Sequence, residues 1–230
     1  MTDLVLTRNR TAARLPAATA PRPSTFAARL GLAGIVCSLL FMAQVTAVAW
    51  PRMSVLDTTM SDYVFVPGVG WMFGAAVLCM CVAGLGAMVG LAAIRLLGTG
   101  SLRLALSLAV LASLLAAIFP TDLGESLSTS AQIHRYAAGV VFFCVPIAAF
   151  LLARLLVDVG YLASYRKWLS ANAIVTSILV VVFIGSHFNV MPEFMRELNG
   201  LFQRLLYVLE LGLFGQIVVL PLRFRLPADR

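Results

Sequence analysis

Six long apolar runs, separated by short polar breaks, set the pattern of this chain. They fall at Phe26–Trp50, Gly70–Leu97, Leu102–Phe119, His134–Val157, Trp168–His187 and Leu201–Leu222. A bilayer core about 30 Å thick takes about 20 apolar residues as a helix, and each run is near that length. Lipid offers no partner to an unpaired backbone group, so such runs span as helices. The pattern predicts an all-α fold, a polytopic membrane bundle of six transmembrane helices over residues 26–223. Gly98–Ser101 is short enough only for a tight turn, and Pro120–Ile133, with its Ser-rich stretch Ser126–Ser130, is a longer loop. The 230 residues leave no room for a further soluble domain, and no internal repeat is visible.

Charge then orients the bundle. Hydrophobic residues make up 61% of the chain and charged ones only 12%, about half the charged share of a soluble domain. With the N-terminus inside, four of the 17 Lys and Arg residues (Arg52, Arg135, Arg196 and Arg204) fall in outer segments and thirteen in inner ones. Inner loops of membrane proteins are the Lys- and Arg-rich ones, so both termini are expected in the cytoplasm and the chain in the cell membrane. The net charge of +7 is thereby a topology signal and suits anionic lipid headgroups as partners; it is no nucleic-acid signature. Both histidines and seven of the ten acidic residues fall on the outer side or in the outward-starting sixth run.

Residues Met1–Thr25 form a polar arm rich in Ala, Pro, Thr and Arg, expected to be disordered and cytoplasmic, as is the tail 224–230. Ala47-Val48-Ala49 resembles a signal-peptidase site, but the run before it is long for a signal peptide, so a retained span is expected. Cys37, Cys79, Cys81 and Cys144 all lie inside runs, with neither loop placement for a disulfide nor metal spacing. Gly70-x-x-x-Gly74 and Gly86-x-x-x-Gly90 give the second span a flat stripe, read as close packing within the bundle, with a homo-oligomer contact as the alternative. Pro146 removes a backbone donor midway along the fourth span.

Candidate chemistry gathers at the outer boundary. Odd-numbered spans end there and even-numbered ones begin there. Ser61, Asp62, Asp122, His134, His187 and Arg204 are therefore brought to one membrane–water level. Each also has a plain structural role available. Asp122 follows Phe-Pro and can cap a short outer helix over Thr121–Glu125; Asp62 can cap the turn before Pro67. A His at a span end is comfortable at the interface. Glu210 is different, because it lies about 13 Å into the sixth span at 1.5 Å per residue. A carboxyl at that depth faces the bundle or a wet cavity, and either is neutral or finds partners. Gln203 and Arg204 on its own helix, and Gln44, Asn172 and Thr176 elsewhere, are the candidates.

Several short motifs carry a resemblance. Ser61-Asp62 followed by Gly70-Trp71, Phe119-Pro120-Thr121-Asp122, His134 opening the fourth span, and Gly200-Leu201-Phe202-Gln203-Arg204 opening the sixth resemble the integral-membrane family named domain of unknown function 998. The resemblance covers roughly Leu30 to Arg223 and implies about six helices and an outer site of acids and histidine, but no reaction. Ser61 and Asp62 are also similar to the alkaline-ceramidase and adiponectin-receptor type of membrane hydrolase. That group has three histidines on seven helices, where this chain has two histidines and six spans.

Three classes of function stay open. A membrane-embedded hydrolase of lipid-like substrates would use His134, His187 and Asp122 to hold a divalent metal with activated water, with Ser61 and Asp62 as further catalytic candidates. A transporter would use Arg204 and Glu210 as a ligand or proton pathway, and a haem protein would clamp iron between the two histidines. A non-catalytic protein would bind lipid or a partner. No P-loop, dinucleotide fingerprint, HExxH or GxSxG occurs. The common expectation is a polar Asp/His pocket at the extracytoplasmic face.

Overall fold

A computed structural model describes residues 25–98, 100–122 and 128–223. The arm before Thr25, the tail after Arg223, and the helix expected over Thr121–Glu125 beyond Asp122 lie outside the described residues. The helices are α1 (Thr25–Ala49), α2 (Trp71–Ala93), α3 (Gly100–Ile118), α4 (Thr129–Leu155), α5 (Ala163–His187), the single turn α6 (Glu193–Arg196) and α7 (Asn199–Arg223). No strand occurs among the described residues. Six helices are long and apolar enough to cross a membrane.

The boundaries differ from the apolar runs where polar residues still favour helix. α4 starts five residues before His134 because Ser128 is its N-cap, its hydroxyl accepting from Ala131 N–H at 3.2 Å. His134 is thus inside a helix and not at its first residue. α5 starts at Ala163, through Arg166 and Lys167, whose stems can lie along the helix while their charges reach water. α2 stops at Ala93, and Arg95, one residue past its C-cap, takes φ 60° in the left-handed region that closes helices.

Chain neighbours pack together: α1 on α2, α2 on α3, α3 on α4 and α4 on α5. α7 then touches α1, α2, α4 and α5, which makes it the central helix. Large side chains left exposed, such as Leu40, Ile178 and Val181, form the outward apolar surface. The α1–α2 pair meets backbone to backbone. A Cβ added at Gly86 would stand 2.7 Å from Gly31 Cα and 2.8 Å from Ala27 O. The small-residue stripe of α2 is therefore used inside the chain, as expected.

Pro146 lies buried within α4, where its missing N–H leaves the carbonyl one turn earlier without its usual donor. All four cysteines are free.

Candidate functional site

The start of α7 is clamped to the loop between α1 and α2. Leu201 N–H donates to Leu56 O at 2.9 Å, and Met60 N–H donates to Gln203 Oε1 at 2.5 Å. Arg204 donates through Nη1 to Thr58 O at 2.9 Å and to Gly200 O at 2.7 Å, and through Nη2 to the Tyr63 hydroxyl. Its guanidinium also lies 5.3 Å from the centre of the Tyr63 ring. Gly200 is required there: an added Cβ would stand 2.3 Å from Thr58 O. Asp62 secures the loop side. Its Oδ2 accepts from Thr59 N–H at 3.2 Å and Thr59 Oγ1 at 2.8 Å, capping the 3-10 turn Met60–Phe65.

Beneath this clamp lies a cavity of about 60 Å³. Its wall is mostly apolar, with Met42, Met60, Phe73, Met80, Val141 and Phe142 among the lining residues. Its polar lining is Ser113, His134, Gln203, Tyr207 and Glu210. Gln203, Tyr207 and Glu210 stand at i, i+4 and i+7, one face of α7 about 10 Å long. Five of the six buried polar residues among the described residues are satisfied by backbone carbonyls. Ser113 donates to Ala109 O, Thr176 to Asn172 O, Ser186 to Met195 O and Ser38 to Ala76 O. Ser38 also bonds the Tyr207 hydroxyl. His134 Nδ1 faces Ala116 O at 3.0 Å and Phe119 O at 2.9 Å. A carbonyl can only accept, so Nδ1 carries a proton, and in the neutral ring Nε2 is the acceptor. The sixth is Glu210. It is 0% exposed, and neither carboxylate oxygen has a hydrogen-bond partner among the described residues.

A family model described as "Protein of unknown function (DUF998)" matches residues 15–219. The chain belongs to this DUF998 family. No curated protein and no solved structure matches it.

The DUF998 motifs named from sequence land in two places. Ser61-Asp62 lies in the capped turn, and Gly200–Arg204 bonds the same loop at Leu56, Thr58, Met60 and Tyr63. Ser61 Oγ bonds Thr59 Oγ1 at 2.9 Å, so it belongs to the same capped turn. Phe119–Asp122 and His134 meet at the end of α3, where His134 satisfies carbonyls that the terminating helix leaves free. Asp122 accepts from Ser128 N–H at 2.7 Å and fixes the entrance to α4; bonding from the Ser128 hydroxyl and amide holds its carboxyl below the usual carboxylate range. His187 stacks at the end of α5 between Phe183, at 5.8 Å, and Phe188, at 5.3 Å.

Among the described residues no group of three His, Cys, Asp or Glu side chains is placed to hold a metal ion. Asp122 and His134 Nδ1 serve helix ends, and His187 makes aromatic contacts. Two expectations about Glu210 are corrected. Arg204 does not reach down to Glu210, because the carbonyls of Thr58 and Gly200 and the Tyr63 hydroxyl meet it at the interface. Gln44 is exposed, and Glu210 turns instead to the His134 cavity. Tyr63 in the clamp and Phe73 in the cavity wall were not visible as site residues, since nothing in an apolar or loop sequence marks them out.

Proposed function

We propose that this DUF998 protein is a proton-exchanging protein of the cell membrane, of the transporter or ligand-binding class, with both termini cytoplasmic. Its working site is the polar pocket below the extracytoplasmic surface. Glu210 is the group that gains and loses the proton, His134 is a further polar group of the cavity, and Asp62 caps the turn whose first residue, Met60, lines that cavity. The reading is supported by one observation: a fully buried carboxyl with both oxygens unpartnered among the described residues, on a residue that lines the cavity. An unpaired buried charge costs several kcal/mol, so the resting carboxyl is neutral and holds its proton. A carboxyl kept only for packing would have been replaceable by an apolar group of the same shape at little cost or a gain.

The orientation rests on the thirteen-to-four division of Lys and Arg. Reporter fusions after Arg103 and Arg225 read cytoplasmic, and one within Ser126–Ser130 reads external; an external C-terminus would overturn it. The proton site is tested by infrared difference spectra of the purified chain. Raising the pH removes a protonated-carboxyl band reversibly, and Glu210→Gln lacks that band from the start. A band that survives in Glu210→Gln, or no band at all, would refute the site.

A further inference from the structure

We propose that the cavity takes a small primary ammonium ion, of the size and kind of methylammonium, in exchange for the Glu210 proton. This rests on the reading of Glu210 as the protonated group of the pocket. The cavity offers about 60 Å³, a space that suits a small occupant. The polar inventory then selects its chemistry. The free acceptors are the two Glu210 oxygens and, with Nδ1 as donor, the Nε2 lone pair of His134. Gln203 Oε1 is taken by Met60 N–H, and the Tyr207 hydroxyl is bonded to Ser38.

A hard inorganic cation needs a shell of about six oxygens, and this lining cannot supply it. An anion would meet a carboxyl and acceptors, with no free cation. A primary ammonium brings N–H donors for a carboxylate. Its methyl group suits Met42, Met60 and Met80, and its charge suits an aromatic lining that includes Phe73, Phe142 and Tyr207.

Charge balance closes the argument. The cation enters as R–NH₃⁺, and the Glu210 O–H bond breaks. The proton passes to the outer water, and the carboxylate keeps the electron pair and holds the ammonium as an ion pair. The cavity has no net charge before or after, so no unpaired charge is buried in either state. Other titratable groups near Glu210 are His134 and Cys144 from α4 and Tyr207 from α7. The lining residues of α1, α2 and α3 are not titratable. Entry runs past Met60 and Gln203, the lining residues that belong to the clamp.

The test adds methylammonium chloride to the purified full-length chain in weakly buffered detergent, with sodium chloride at equal ionic strength as the control. One proton is released per cation bound, the apparent affinity tightens about tenfold per pH unit while Glu210 is protonated, and the Glu210 infrared band falls in step. Glu210→Gln releases no proton. Binding without proton release, equal release by sodium, or release that persists in Glu210→Gln would overturn the proposal. The infrared band needs no variant, so a misfolded Glu210→Gln leaves the test standing. A band that titrates with pH but ignores methylammonium would remove the ammonium and keep the proton site. No titrating band would remove both.

Discussion

The clamp and the cavity share one helix and differ in how their polar groups are treated. At the first turns of α7, Gln203 and Arg204 bond the loop at Thr58, Met60 and Tyr63. Two turns further in, the Glu210 carboxyl has no hydrogen-bond partner among the described residues. A polar network with its partners in place fixes geometry, and a buried acid without them holds free energy that a proton or ligand can release. The clamp is thus where this chain holds its shape. In the proposed reading the cavity is where its chemistry lies.

The largest expected effect breaks the clamp. Arg204→Ala removes the charge-assisted bonds to Thr58, Gly200 and Tyr63, each kind typically about 1.5–3 kcal/mol. Thermal unfolding in detergent shows a loss of about 3 kcal/mol, and the loop around Met60 becomes open to protease. A loss below about 1 kcal/mol would mean that the clamp is decoration. Next comes Asp62→Ala, which leaves the turn at Met60–Phe65 uncapped and costs about 1 kcal/mol by the same measurement. Glu210→Gln is smaller in stability, within about 1 kcal/mol of the parent, because a neutral amide replaces a neutral carboxyl of nearly the same shape. A large loss there would make Glu210 part of the scaffold and erase the contrast between the two regions.

The smallest effect concerns Asp122, whose carboxyl Ser128 holds below its ordinary value of 3.8. A depressed carboxyl contributes stability above its unfolded value and loses it as pH falls through the folded one. The parent therefore loses stability on acidification below about pH 4 more steeply than Asp122→Asn, a difference read from melting curves at successive pH values. Identical acid limbs would show that the Asp122–Ser128 contact adds nothing.

The six spans were legible because hydropathy and bilayer thickness leave one solution for runs of this length. Glu210 was legible for the same reason: an acid inside such a run has only the bundle interior open to it. The motifs Ser61-Asp62 and Gly200–Arg204 were visible as a group, but their roles were not. Arg204 reads in sequence as a partner for the nearest buried acid. In three dimensions it has carbonyl acceptors at the interface that cost no desolvation of a second charge. His134 reads as a metal ligand because histidine is scarce in this chain, yet the free carbonyls at the end of α3 claim its Nδ1. Tertiary partners made of backbone leave no trace in a pattern of side chains.

Arg95 carries one more consequence. At φ 60° it occupies backbone space where an L-residue costs about 1–2 kcal/mol and glycine sits freely. A glycine there would ease the turn after α2. It would also delete a cation from the loop that, in the proposed orientation, must stay behind while the next helical pair is threaded into the bilayer. The position therefore exchanges some stability of the finished protein for fidelity during its insertion, and Arg95→Gly should melt higher while a fraction of newly made chains inserts upside down.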